Sequence, residues 1–126
     1  MRVFVDEDTG SGLGKALRAV GVDGDYVGRG RSFGTGVKDE IWIPYAGINR
    51  MLVLSRNTGI LQSESQRGLL IAGQVGIVFL PAHLSSIDLL RLVMKKWDWI
   101  VAIDETEDRP FAFRLTQYGR ATRLLL

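Results

Sequence analysis

The chain has 126 residues, of which 46% are hydrophobic and 24% charged, with 16 Lys and Arg against 14 Asp and Glu for a formal net charge of +2. That length and balance exclude a disordered chain and suit one domain, residues 1–126, around one core. With no cysteine and a single histidine, His83, disulfides, thiolate zinc sites, thiol nucleophiles and histidine-rich zinc clusters are excluded, leaving oxygen ligands that favour Mg²⁺ or Mn²⁺.

No apolar run approaches the about 20 residues of a membrane helix and no long apolar core follows Met1, so a cytoplasmic chain without a membrane partner is expected. In chain order, the apolar stretch Val3, Phe4 and Val5 predicts a first strand, followed at once by Asp6, Glu7 and Asp8. The segment TGSGLGKALRAVG predicts a helix, capped by Thr9 or Ser11, with Leu13, Leu17 and Val20 on its apolar face and Gly21 at its end. Asp25, Tyr26 and Val27 predict a short second strand, and GRGRSFGTG after it is a glycine-rich loop carrying Arg29 and Arg31. VKDEIWIPYAGINR reads as helical turns interrupted at Pro44.

The continuous apolar run Met51–Leu54 predicts a strand buried on both faces, ending at Ser55, Arg56 and Asn57. SESQRGLLIAG reads as a helix capped by Ser63, and GIVFLP as another buried strand. SSIDLLRLVMKKWDWIVAIDE predicts one long or two shorter helices, capped by Ser85, with Leu89, Leu92, Val93 and Trp97 on the buried side. FAFRLT, after Pro110, reads as an edge strand, and the chain closes in a basic tail with Tyr118, Arg120 and Arg123. This order predicts an α/β protein: a three-layer α/β/α sandwich on a mainly parallel sheet, with an antiparallel edge strand near the C-terminus.

Ligand sites in open parallel sheets lie beyond the carboxyl ends of the strands. Asp6, the pair Asp39 and Glu40, and Asn57 all fall in or beside such loops. Clustered carboxylates repel unless a divalent cation neutralises them, and such a cation polarises a phosphate oxygen and lowers the pKa of bound water. Arg29, Arg31, Lys38 and Arg56 lie in the same loops and are candidates for holding the phosphates of a nucleic-acid strand.

VDE after an apolar strand, KDEIWIPYAG, the strand followed by SRN, and the late KKWDWI with PFAFRLT together resemble the PIN-like domains of VapC-type toxin ribonucleases. The resemblance implies a Mg²⁺- or Mn²⁺-dependent endoribonuclease, the toxin of a type II toxin–antitoxin pair, partnered by a cognate antitoxin and forming a homodimer or a hetero-oligomer with it. By position it implies Asp6 as first acid, Asp39 and Glu40 as the second acidic pair, and Ser55 with Asn57 in place of a Thr-x-Asp motif. Asp6, Glu40 and Asn57 are then the metal ligands, with Glu7, Asp8 and Ser55 in support. Asn57 brings an amide oxygen without charge, which lowers metal affinity relative to aspartate. This keeps open a second function, a catalytically impaired module that binds an antitoxin or nucleic acid without cleavage.

Each of these residues also has a plain structural use. The Asp6–Asp8 run suits a solvated turn or cap, Asp39 and Glu40 a helix start, Asn57 a turn, and the loop arginines a solvated surface. GSGLGK follows a strand and opens a helix, but Thr9 and Ala16 stand where a Walker loop needs glycine and Ser or Thr, so its glycines are assigned to helix–sheet packing or to space beside Asp6.

Overall fold

Alternation along the central strands divides the apolar side chains between two faces of one sheet. Val3 and Val5 join Leu52, Leu54 and Val78 on one side, whereas Phe4, Val53 and Ile77 point to the other. The computed structural model describes residues 1–126. Its strands are β1 (Arg2–Val5), β2 (Asp23–Tyr26), β3 (Leu52–Ser55), β4 (Gly76–Phe79), β5 (Phe111–Leu115) and β6 (Ala121–Leu124). They form one six-stranded sheet in the order β2-β1-β3-β4-β5-β6, parallel except for the antiparallel β5–β6 pair.

Helices cover both faces. On the first lie α1 (Ser11–Ala19), α5 (Ser86–Lys95) and α6 (Trp97–Thr106), which bury Leu13, Leu17, Leu89, Val93, Ile100 and Ile103. On the second lie α2 (Asp39–Ile48), the short α3 (Gly59–Gln62) and α4 (Glu64–Ala72), contributing Trp42, Ile43, Ala46, Ile60 and Leu70. Each fully buried large side chain contributes about 1.5–3 kcal/mol of transfer free energy, so the two apolar layers carry the fold. This is the predicted three-layer α/β/α sandwich.

Local chemistry accounts for the ends of several helices. Ser63 and Ser85 accept hydrogen bonds from the backbone N–H of Gln66 and Asp88, capping α4 and α5 as their sequence positions foretell. The segment from Ser86 resolves into two helices that meet at Lys96. Gly14 lets α1 approach β2, since a Cβ there would lie 2.5 Å from the Tyr26 Cβ. Gly10 and Gly12, by contrast, have open space around them.

Several expectations change. Neither Thr9 nor Ser11 caps α1, whose N-cap is Gly10 with no side-chain hydrogen bond, and Val20, just past the end of α1, is 65% exposed and outside the apolar face. Pro44 does not interrupt the second helix, because α2 runs unbroken from Asp39 to Ile48; the proline costs one amide donor, the one that would bond the Glu40 carbonyl, while Trp42, Ile43 and Ala46 hold the helix on the sheet. FAFRLT is not the edge: β5 pairs in parallel with β4, and the basic tail supplies β6, the antiparallel edge.

Candidate active site

The chain leaves β1 through α1 to β2 on one side, then crosses through α2 to β3 on the other side of β1. The carboxyl ends of β1 and β3 therefore flank a topological switch point, where open α/β sheets form their ligand crevice. Val5 pairs with Leu54, so Asp6 emerges beside Ser55. The Ser55 hydroxyl donates to Asp6 Oδ2 over 2.6 Å. On the other oxygen, Asp6 Oδ1 accepts from the Thr9 backbone N–H at 3.3 Å and, in a short hydrogen bond, from the Thr9 hydroxyl. Ser55 Oγ in turn accepts the Asn57 N–H at 2.9 Å, and Thr9 Oγ1 accepts the Arg56 N–H at 3.0 Å. The result is a ring of hydrogen bonds that fixes the carboxylate across two strand ends.

Asp6 is 3% exposed, yet none of the ion pairs in the molecule includes it. Burial pushes its pKa from 3.8 to about 6, against the lowering effect of the Ser55 and Thr9 hydrogen bonds and with help from the neighbouring Asp8 charge. Keeping it ionised at neutral pH therefore opposes folding by roughly 3 kcal/mol.

The other expected site residues divide into two sets. Ser55 belongs to the Asp6 ring. Arg56 braces it, its guanidinium donating to the carbonyls of Thr9 and Leu84, both at 3.2 Å, and so tying the loop after β1 to the loop after β4. Asp8 is exposed at the rim, and Glu7 Oε1 accepts the Gly36 N–H at 2.8 Å, which anchors the glycine-rich loop beside the same strand end. Asn57, however, spends its side-chain oxygen on the Gly59 N–H at 3.1 Å, holding the turn into α3.

Asp39 and Glu40 stand at the start of α2 and make no hydrogen bond with Asp6. Asp39 Oδ1 accepts from Trp42 Nε1 at 2.8 Å, and Trp42 stacks on Phe4 with centroids 5.1 Å apart, so this acid orients a core aromatic. Glu40 is exposed. No group of three or more Asp, Glu or His side chains is spaced to hold a metal ion. Among the loop cations, Arg29 and Lys38 are exposed, but Arg31 is bound: it pairs with Asp25 at 2.9 Å and lies over the Tyr26 ring at 4.9 Å.

Sequence reasoning gave the loops after β4 and β5 no functional role, reading His83 as an ordinary loop residue. His83 Nε2 donates to Gln117 Oε1 over 2.7 Å, joining the loop after β4 to the β5–β6 hairpin. The two enclose a cavity of about 440 Å³ that also includes Arg56 and Arg114. The signal was available, since the strand-end rule that selected Asp6 applies equally to residues following GIVF and FAFRL.

A family model described as a PIN-like domain matches residues 1–82. That segment carries Asp6, Asp39, Glu40, Ser55 and Asn57, and the chain belongs to the PIN-like domain family, a family of nuclease fold. No curated protein and no solved structure matches the chain. No helix is long and apolar enough to cross a membrane.

Proposed function

We propose that the chain is a divalent-metal-dependent nuclease that hydrolyses RNA phosphodiester bonds, with Asp6 as the anchor of the cation. The observation that carries this reading is the burial of Asp6 at the switch point with hydroxyl partners and no cationic one. A carboxylate held there at energetic cost has a use for a cation, and its hard oxygen donors suit Mg²⁺ or Mn²⁺. Mg²⁺ is commonly held by one or two carboxylates together with water and substrate phosphates, so a preassembled acidic triad is not required. Glu40 and Asp8, both exposed and in no ion pair, are the acids assigned to complete the shell in this reading; Asn57 contributes by holding the loop. When bound, the cation supplies charge stabilisation and a water of lowered pKa, while the chain positions the carboxylate through Ser55 and Thr9. Arg29 and Lys38 are the loop cations free to meet RNA phosphates.

The toxin role, the antitoxin partner and an oligomeric assembly with it belong to the same reading and rest on the resemblance to VapC-type ribonucleases. Purified protein is incubated with RNA and Mn²⁺ or Mg²⁺ beside Asp6→Asn and Glu40→Gln. The expected outcome is cation-dependent cleavage that Asp6→Asn reduces by at least about 100-fold, because the anchoring charge is gone; cleavage that persists in Asp6→Asn rules this site out. A second reading, binding of RNA or an antitoxin without cleavage, is favoured by the engagement of Asn57 with Gly59. It requires RNA or partner binding with no cleavage under any divalent cation.

A further inference from the structure

We infer that the cavity between the loop after β4 and the β5–β6 hairpin is a binding site for a nucleoside monophosphate unit. The cavity, of about 440 Å³, falls within the range of small-molecule sites and opens at the carboxyl ends of parallel strands. Its lining includes Arg56, Arg114 and His83 and no carboxylate, so it favours an anion. Arg56 is committed to backbone carbonyls, but Arg114 is exposed on β5 and takes part in no ion pair. Its guanidinium is thus free to engage a phosphate through two N–H groups.

The remaining wall suits a ring. Leu80, Pro81 and Leu115 give an apolar floor, and Tyr118, 82% exposed on the hairpin, offers an unstacked aromatic face. A phosphate on a planar, partly apolar body matches this combination of one free guanidinium, apolar floor and exposed ring. The hairpin is a built element: Thr116 N–H bonds the Arg120 carbonyl at 2.9 Å, Gly119 takes φ of 83°, and the His83–Gln117 hydrogen bond ties its tip to the neighbouring loop. The hairpin and His83 lie outside the segment matched by the family model, whereas Arg56, Thr58 and Leu80 to Ala82 lie within it.

The same chemistry is presented by a free mononucleotide and by the phosphorylated end of an RNA strand. Binding of AMP, adenosine, inorganic phosphate and a short oligoadenylate with and without a 5′-phosphate is measured by calorimetry in EDTA. Neither Asp6 nor a metal takes part, so the outcome is separate from that of the cleavage assay, and Asp6→Asn binds AMP as the unsubstituted chain does. AMP is expected to bind at least about tenfold more tightly than adenosine or phosphate, with Arg114→Gln and Tyr118→Ala each weakening it about tenfold while the fold is retained. A 5′-phosphorylated strand that outbinds both AMP and its 5′-hydroxyl form assigns the site to strand ends; equal or weaker strand binding assigns it to free nucleotide. Absence of AMP binding, adenosine or phosphate matching AMP, or AMP affinity unchanged in Arg114→Gln overturns the inference.

Discussion

Asp6, just past the end of β1, and Asp25, on the adjoining β2, are both buried carboxylates, 3% and 6% exposed, and their pKa values shift in opposite directions. Burial acts to raise both. At Asp25 the Ser32 hydroxyl, the Tyr26 backbone N–H and the Arg31 guanidinium overcome it, holding the carboxyl below its usual range. At Asp6 two hydroxyls do not suffice, and the carboxyl rises to about 6. The largest lowering at Asp25 comes from the Ser32 hydroxyl, followed by the Tyr26 N–H, with the Arg31 hydrogen bond and charge adding the rest. The pair teaches how to separate a structural acid from a candidate functional one: Asp25 has its counter-ion within the chain, and Asp6 has none.

Substitution can break this contrast from either side. The largest stability change is expected from Asp25→Ala, which strands the mostly buried Arg31 and should cost about 2–3 kcal/mol by denaturant unfolding. Asp6→Asn should do the reverse and stabilise the protein at pH 7.5 by about 1–2 kcal/mol, since the penalty of the buried charge is removed while hydroxyl partners remain.

The pH dependence follows from the same directions. Between about pH 4 and pH 6 the folded state holds a proton on Asp6 that the unfolded chain has released, so stability falls as pH rises through that window and then levels off. Asp25 acts oppositely: its contribution is present above the unfolded pKa of 3.8 and is lost as pH falls below it. Unfolding measured across pH 3 to 8 should lose its upper slope in Asp6→Asn and keep its lower one. A slope between pH 4 and 6 that survives Asp6→Asn separates it from Asp6 altogether. The smallest effect belongs to Asn57→Ala, about 0.5–1 kcal/mol, for the loss of the turn into α3.

Much of this arrangement is legible in the sequence, for local reasons. The alternation of Val3, Phe4 and Val5, the caps at Ser63 and Ser85, and the placement of acids after an apolar strand each depend on neighbours a few residues away. The Asp6–Ser55 contact does not: it depends on the β1–β3 register, which brings together residues 49 apart in sequence. Arg31 reads as a free cation because nothing local announces that Asp25, on the strand before it, will take it. β6 reads as a tail because Ala121, Thr122 and Arg123 are exposed, which erases the alternation that marks a half-buried strand. Pro44 reads as a break because propensity speaks for the isolated helix, whereas the packing of Trp42, Ile43 and Ala46 decides the folded one.

The measurement that bears most directly on Asp6 as the anchor of a cation is Mn²⁺ binding, followed as the rise in unfolding temperature of the whole chain at pH 7.5, with Asp6→Asn and Asp25→Asn in parallel. Saturating Mn²⁺, at about 100 times its Kd, should stabilise the unsubstituted protein by roughly 2.7 kcal/mol. Asp25→Asn, though less stable, should show the same increment, and Asp6→Asn none. An equal Mn²⁺ increment in Asp6→Asn, or no increment in the unsubstituted chain, contradicts the assignment.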